Sequence, residues 1–315
     1  MTPTGSTDPH SSGSRAADAP SSGPAAPTGS TGQVLKRLVL WLVLLGGFIA
    51  LITAVILPLA AEATVRWLPR SAEIPLGRKV EGDTVKRLLD TGKMPNGIRI
   101  CNYPPGLAAL GKLFAGLNQG LPDDINLRVT VMEADFANAM AMPGDRILIF
   151  SKLFDLTDHP NAFAGVIAHE LGHVIARDPI RALVERGSGT VLLRLLVGEK
   201  IGGRMDELVS QKLLIAANTR DMEHRADVIA LDLMERAGWD STAFAGFFAT
   251  LLQKNGNDAD RPALFATHPA TKDRMDYVLN ARKTGENLAL TDQEWTDLKS
   301  ICDQTVAPKI VAPNS

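Results

Sequence analysis

Residues 166–178 read VIAHELGHVIARD, and His169, Glu170 and His173 within them form the pattern H-E-x-x-H. On a helix, residues four apart share a face, so each histidine can aim one nitrogen at the same ion. Glu170 projects at a neighbouring angle, where it can reach a water on that ion without occupying the metal. A catalytic zinc takes three protein ligands and keeps a fourth position open. It lowers the pKa of its water towards about 7. Glu170 is then the general base, passing the proton on to the leaving amine. The competing reading is a structural histidine pair on a core helix, which would bury two imidazoles and a carboxylate for no gain.

The third ligand must come from another segment. In RDMEHRADVIALDLMERAGWD an apolar stripe runs through Ala226, Ala230, Leu233, Met234 and Ala237. Glu223 and Asp227 fall on that stripe, away from the face of Arg225 and Asp232. A carboxylate on a buried stripe wants a cation or a donor. Glu223 is therefore the expected third ligand, for one zinc ion per chain; an ordinary helix salt bridge is the alternative. Asp227, one turn on, is expected to accept the second ring N–H of a ligand histidine. His224 lies one residue off the stripe and is assigned to the surface.

Periodicity outlines the elements that must position these residues. Pro160 suits a first helical turn, with Asp158 or His159 as cap. Phe163, Val166, Ile167, Leu171, Val174 and Ile175 leave scarcely a polar face on that helix, which predicts deep burial. Ahead of it, GIRICN and INLRVTVME read as strands. ANAMAMPGDRILIFSKLF reads as strand, turn, strand, with Pro143 and Gly144 central in a type II turn. Residues 62–96 read as a helical lead-in. TVLLRLLVGEKIGG is apolar but too short to cross a membrane. Thr291 and Glu294 form a capping-box pattern. The expected fold is α+β, mainly helical, with a small sheet.

The chain's ends differ from its middle. Of the first 33 residues, 27 are Ser, Thr, Pro, Gly or Ala, which predicts a disordered tail. Leu38 to Ala61 then gives 24 residues without a charge, enough to span a bilayer as a helix. Trp41 and Trp67 lie near its ends, where indoles favour the interface. A retained single-pass anchor is expected; the alternative is a signal cleaved near PLAAEA. Basic residues flank both ends and do not settle orientation. The only cysteines, Cys101 and Cys302, follow the anchor, and a pair in an oxidising space can form a disulfide. The tail is therefore placed inside and the large domain in the periplasm, on the inner membrane. A net charge of −2 argues against a nucleic-acid partner.

With those motifs assembled, HELGH followed by RDMEHRAD resembles the zinc metallopeptidase family of the CAAX prenyl endopeptidase and the HtpX heat-shock protease (peptidase family M forty-eight, gluzincin type). NAMAMPGD is similar to the family stretch N-A-F-A-x-P-G-G, and THPATKDRM to its H-P-x-x-x-x-R segment. The resemblance covers roughly residues 70–285. It implies a zincin-like domain whose edge strand borders the active-site helix, zinc on His169, His173 and Glu223, and Glu170 as base. It implies that Asn138, Ala139 and Met140 line a cleft where an extended peptide adds as a strand. His268 would lie near the metal, either donating to the oxyanion or filling the open position and holding the enzyme off. Arg274 would anchor its segment, against a buried acid. Asp145 and Met140 depart from the family's Gly and Phe.

The chain thus divides into a tail (1–33), an anchor (34–61), a metallopeptidase domain (62–285) and a C-terminal helix with a frayed end (286–315). The expected function is zinc-dependent endopeptidase action on proteins or peptides, in envelope quality control. The alternatives are a latent or chaperone-like protein closed by His268, and a dedicated processing peptidase.

Overall fold

The computed structural model describes residues 31–56, 59, 63, 65–90, 99–186, 218–254, 264–269, 272–281, 285 and 287–303. The tail up to residue 30, the stretch TVLLRLLVGEKIGG and the end after Asp303 lie outside them. The chain forms two compact units, Met1–Ile52 and Thr53–Ser315. The first carries helix α1 (Thr31–Leu51). Among the described residues, Gly32–Ile56 is the one stretch long and apolar enough to cross a membrane, with 25 residues and a mean hydropathy of 2.7. Its large side chains, Trp41 and Phe48 among them, are exposed. A run of that size facing water marks a surface meant to be covered.

The second unit begins with α2 (Arg70–Asp90) and α3 (Pro104–Leu117), followed by three strands. These are β1 (Arg128–Met132), β2 (Ala139–Met142) and β3 (Arg146–Phe150). The order is β1-β3-β2, with β1 parallel and β2 antiparallel to the central β3, so β2 is an edge. Then come α4 (Pro160–Ala176), α5 (Asp178–Arg186), α6 (Arg220–Arg236), α7 (Thr242–Lys254), α8 (Leu264–Thr267), α9 (Lys272–Ala281) and α10 (Asp292–Lys299). The domain is mainly helical with one small sheet, as its sequence predicts.

Successive strand residues face opposite sides of the sheet, and here both sides are covered. Ile147 and Ile149 join the main core with α3, α4, α6, α7 and α10. Leu148 and Phe150 join a smaller core with Leu76 and Val80 of α2. That two-sided burial explains why RILIF reads as a continuous apolar run. Among the described residues, one expected strand is not formed. Of GIRICN, residues 99–102 are described, and they make an isolated bridge, Ile100 to Met132. Pro104 and Pro105 follow at once, and prolines at the start of α3 suit a helix and cannot extend a ladder.

His159 caps α4 through Nδ1, which accepts the Asn161 N–H at 3.2 Å. Every residue of α4 from Pro160 to Val174 is buried. Gly144 has the positive φ of 72° that the turn expects, but Asp145 is also left-handed at 57°. Arg177, at the C-cap of α4, has φ 57° as well. Among the described residues these two are the only non-glycines in that region. Each conformation costs about 1–2 kcal/mol, so something must hold it. The capping box of Thr291 and Glu294 is formed. A disulfide joins Cys101 to Cys302, tying the end of the domain to the residues before α3.

Candidate metal centre

Helix α4 supplies His169, Glu170 and His173, and α6 supplies Glu223. Close contact of the two helices depends on Gly172. A Cβ there would stand 2.8 Å from the backbone of Ala226, so only glycine admits the approach. Thr219 starts α6 by accepting the Met222 N–H through its hydroxyl at 3.3 Å. That start sets Glu223 on the first turn, facing the two histidines.

The nearest nitrogens, Nε2 of His169 and His173, are 3.1 Å apart. Glu223 places Oε2 at 3.4 Å from His169 Nε2 and Oε1 at 3.3 Å from His173 Nε2. Ligand atoms roughly 2.0–2.1 Å from one tetrahedral ion stand about 3.3 Å apart. Each of these separations is close to that value, and two imidazoles with a carboxylate are a donor set zinc accepts. His268, preceding α9, joins the group, and all four ligand atoms lie within 4.8 Å of one another. Its Nδ1 is 2.9 Å from Glu223 Oε1 and 3.4 Å from His169 Nε2. Its Nε2 is 3.4 Å from Glu170 Oε1.

The electrostatics favour positive charge at this point. Burial pushes the His173 pKa down, but hydrogen bonds to Asp178 and Glu223 outweigh it and raise the pKa to about 10. Burial likewise opposes charge on His169, and Glu223 with Asp227 raises its pKa. Burial would raise the pKa of Glu223, but the surrounding histidines, His268 first, hold it well below the ordinary carboxylate value.

Each histidine is gripped from behind. His169 Nδ1 is 2.9 Å from Asp227 Oδ1. Arg274 donates to both oxygens of Asp227, at 2.7 and 2.8 Å, and its other terminal nitrogen is 2.5 Å from Glu223 Oε2. His173 Nδ1 is 2.8 Å from Asp178 Oδ2. Arg225 donates to Asp178 Oδ1 at 2.8 Å. Such partners fix ring orientation and strengthen the ligand nitrogen.

The edge strand runs beside Glu170. The Asn138 carbonyl accepts the Phe150 N–H on the β3 side, so the backbone groups of Ala139 and Ala141 face outward. Glu170 Oε2 accepts the Ala141 N–H at 2.8 Å. A cleft of about 550 Å³ is lined by Met140, Ala141, Met142, Glu170, His173 and His268, with Val80 and Thr84 of α2 in its wall. A second pocket of about 310 Å³ shares Glu170 and His268 and is walled by Phe244, Phe247, Phe248 and Leu251.

The profile of peptidase family M48 matches residues 110–282, more than half of the chain. The chain belongs to peptidase family M48. Its similarity to characterised M48 proteins is moderate. It is 28% identical over 157 residues to the beta-barrel assembly-enhancing protease of Yersinia pestis, covering 46% of this chain and 32% of that one. To the mitochondrial metalloendopeptidase OMA1 of Schizosaccharomyces pombe it is 23% identical over 182 residues, 56% of this chain and 54% of the relative. To the metalloprotease YcaL of Escherichia coli it is 27% identical over 200 residues, 58% and 72% of the two chains. The chain spans about a third of the length of the first of these and about half of the second.

In this M48 domain the expected residues His169, Glu170, His173, Glu223, Asp227, His268 and Arg274 come together. Of the expected cleft residues, Met140 lines this cleft, Ala139 turns its backbone groups outward from the edge strand, and the Asn138 carbonyl pairs with Phe150 on the β3 side. His224 is exposed, with its ring 4.6 Å from that of Tyr277. Sequence reasoning missed Asp178 and Asn218. Asn218 Nδ2 donates to Glu223 Oε1 at 2.7 Å, and no motif surrounds it. Asp178 is missed because the chain turns sharply at Arg177, where no glycine signals a left-handed residue. Val80 and Thr84 fall in the stretch whose pattern predicts a helical lead-in, and nothing in that pattern points to the cleft.

Proposed function

We propose that this chain is a zinc-dependent endopeptidase. The observation carrying this reading is the buried cluster of His169, His173 and Glu223, their ligand atoms close enough to share one ion, with Glu170 between it and an edge strand. His169, His173 and Glu223 would hold the ion. When bound, zinc supplies the Lewis acidity that makes water a nucleophile near neutral pH. Glu170 does the proton work: it takes the water's proton and delivers it to the departing amine. The outward backbone groups of β2 align an extended peptide as an added strand, and Ala141 N–H exchanges Glu170 for a substrate carbonyl. His268 Nε2, facing Glu170, is placed to donate to the developing oxyanion. Asp227 and Asp178 hold the two histidines in the tautomer that leaves Nε2 free for metal.

We place the domain in the periplasm, anchored through the apolar helix, where it degrades surplus or misfolded envelope proteins. The Cys101–Cys302 disulfide supports an oxidising compartment. The apolar span supports an anchor, and a signal cleaved after it is the alternative. The name of one relative, a beta-barrel assembly-enhancing protease, supports a role in envelope maintenance. The test is cleavage of casein and denatured proteins by the full chain, with and without chelator. Activity should vanish in chelator and in Glu170→Gln; activity surviving both sinks the mechanism. Crosslinked capture of substrates by Glu170→Gln separates broad degradation from processing of one partner.

A second reading has its own observation. His268 Nδ1 lies as close to Glu223 and His169 as a fourth ligand would, which favours a latent or chaperone-like state. His268→Ala discriminates: an oxyanion donor loses activity on removal, and an inhibitory ligand gives a gain.

A further inference from the structure

We propose that α2, the helix following the apolar span and outside the family-matched residues, is a positioning element of the active site. It fixes both the end of α4 and the turn of the edge strand through two ion-pair ties. This rests on the peptidase reading for its consequence, but not for its geometry.

The first tie is Glu73 to Arg177. Glu73 is 3% exposed. Its Oε1 accepts the Arg177 Nε–H at 2.6 Å, while its Oε2 accepts the Gly144 N–H at 3.2 Å. One carboxylate thus bridges the C-cap of the histidine helix and the β2–β3 turn. Arg177 also donates to the carbonyls of Val65 and Leu68, the latter at 2.7 Å. The second tie is Arg70 to Asp145, at 2.8 Å. Arg70 also reaches the last carbonyls of α4, those of Val174 and Ile175, at 3.3 Å each. Asp145 in turn accepts the Asn126 N–H at 3.1 Å.

Three observations point the same way. The two left-handed non-glycine residues of the described chain are Asp145 and Arg177, the two that these ties hold. A glycine would sit at either position without strain, so the side chains are kept for what they bind. The packing is backbone on backbone: a Cβ on Gly77 of α2 would fall 1.9 Å from the Pro143 carbonyl oxygen. Finally, Val80 and Thr84 of the same helix wall the cleft next to Glu170 and His173. Displacing α2 would move the wall, the turn that registers Met140–Met142, and the last turn of the helix holding His173.

Arg177→Gly and Glu73→Gln in the full chain test this. Glycine suits the left-handed C-cap but leaves Glu73 buried without its partner, so a merely structural role predicts lower stability with unchanged turnover of the folded protein. The positioning role predicts, at temperatures where the variants are folded, retained zinc content, KM within about threefold, and kcat lower by on the order of 10–100-fold, the size expected of an ångström-scale misplacement. Asp145→Gly carries the same test on the second tie should Arg177→Gly not fold. Hydrogen exchange provides an arm independent of activity. In Glu73→Gln the amides of 140–142, 144–145 and 173–178 should exchange at least about tenfold faster than wild type, with α6 unchanged. Folded, zinc-loaded variants with wild-type kcat and wild-type exchange overturn the proposal. A wild type that lacks chelator-sensitive cleavage defeats the peptidase reading instead, and leaves the exchange arm to decide.

Discussion

His169 and His173 stand one turn apart on the same helix, yet they are held by different means. Behind His169, Asp227 is fully buried and gripped by two N–H groups of an arginine that is itself only 10% exposed. Behind His173, Asp178 is equally buried, but its arginine, Arg225, gives one hydrogen bond and is 45% exposed. The first support is a closed group of charges inside the protein. The second opens to solvent at its outer end. Burying a charge pair gives little net stability, whereas stripping one partner leaves an uncompensated charge and costs far more. An exposed partner is replaceable by water. The two histidines should therefore differ sharply in how far a distant change disturbs them.

Breaking the closed group should have the largest effect. Arg274→Gln leaves the carboxylates of Asp227 and Glu223 buried with one cation fewer. About 3–5 kcal/mol of stability should be lost, which is the range for an orphaned buried charge. Thermal unfolding in excess chelator measures this without any metal contribution. A loss below about 1 kcal/mol would put the Arg274 side in the same class as an exposed bridge and erase the asymmetry.

The asymmetry also marks where the sequence was readable. Asp227 follows Glu223 by four residues on one helix, so the spacing that puts both on a buried stripe needs no knowledge of the fold. His169 and His173 obey the same rule. The helices, the two strands around Pro143–Gly144 and the capping box at Thr291 are likewise local patterns. Asp178 depends on a chain reversal at a left-handed arginine, which local preference argues against. The expected strand at Ile100 failed for a comparable reason: its apolar residues suit a strand, but the prolines that follow decide otherwise. The ties from α2 join residues about 70 to 110 positions apart, and no periodicity reports on such pairs.

Asparagine substitutions behind each ring sharpen the comparison. Asp227 uses both oxygens, one of them shared by His169 and Arg274. An amide there sets a donor against a donor whichever way it turns. Asp227→Asn should weaken zinc binding towards the upper end of the 10–100-fold range usual for such partners. Asp178→Asn can keep its oxygen on His173 and turn its amide towards Arg225, which is free to swing into water. Its loss should lie near the lower end, about tenfold. Competition with a fluorescent chelator gives both affinities. Equal losses would mean that solvent access to the outer arginine plays no part.

Arg225→Gln should do least. Its bond to Asp178 is the solvent-facing one, and exposed ion pairs contribute about 0.2–1 kcal/mol. Arg181, whose Nε lies 3.9 Å from Asp178 Oδ1, remains to offset the carboxylate. Zinc affinity should fall by less than about fivefold, as that free-energy range allows. The difference from wild type should shrink further in high salt, because screening acts on the exposed cation and not on the buried carboxylate. Arg274→Gln should show no such salt dependence. If Arg225→Gln instead costs as much as Arg274→Gln, and does so in high salt, Asp178 relies on that one bond as fully as Asp227 relies on its pair. The two histidines would then be held alike despite the difference in burial of their arginines.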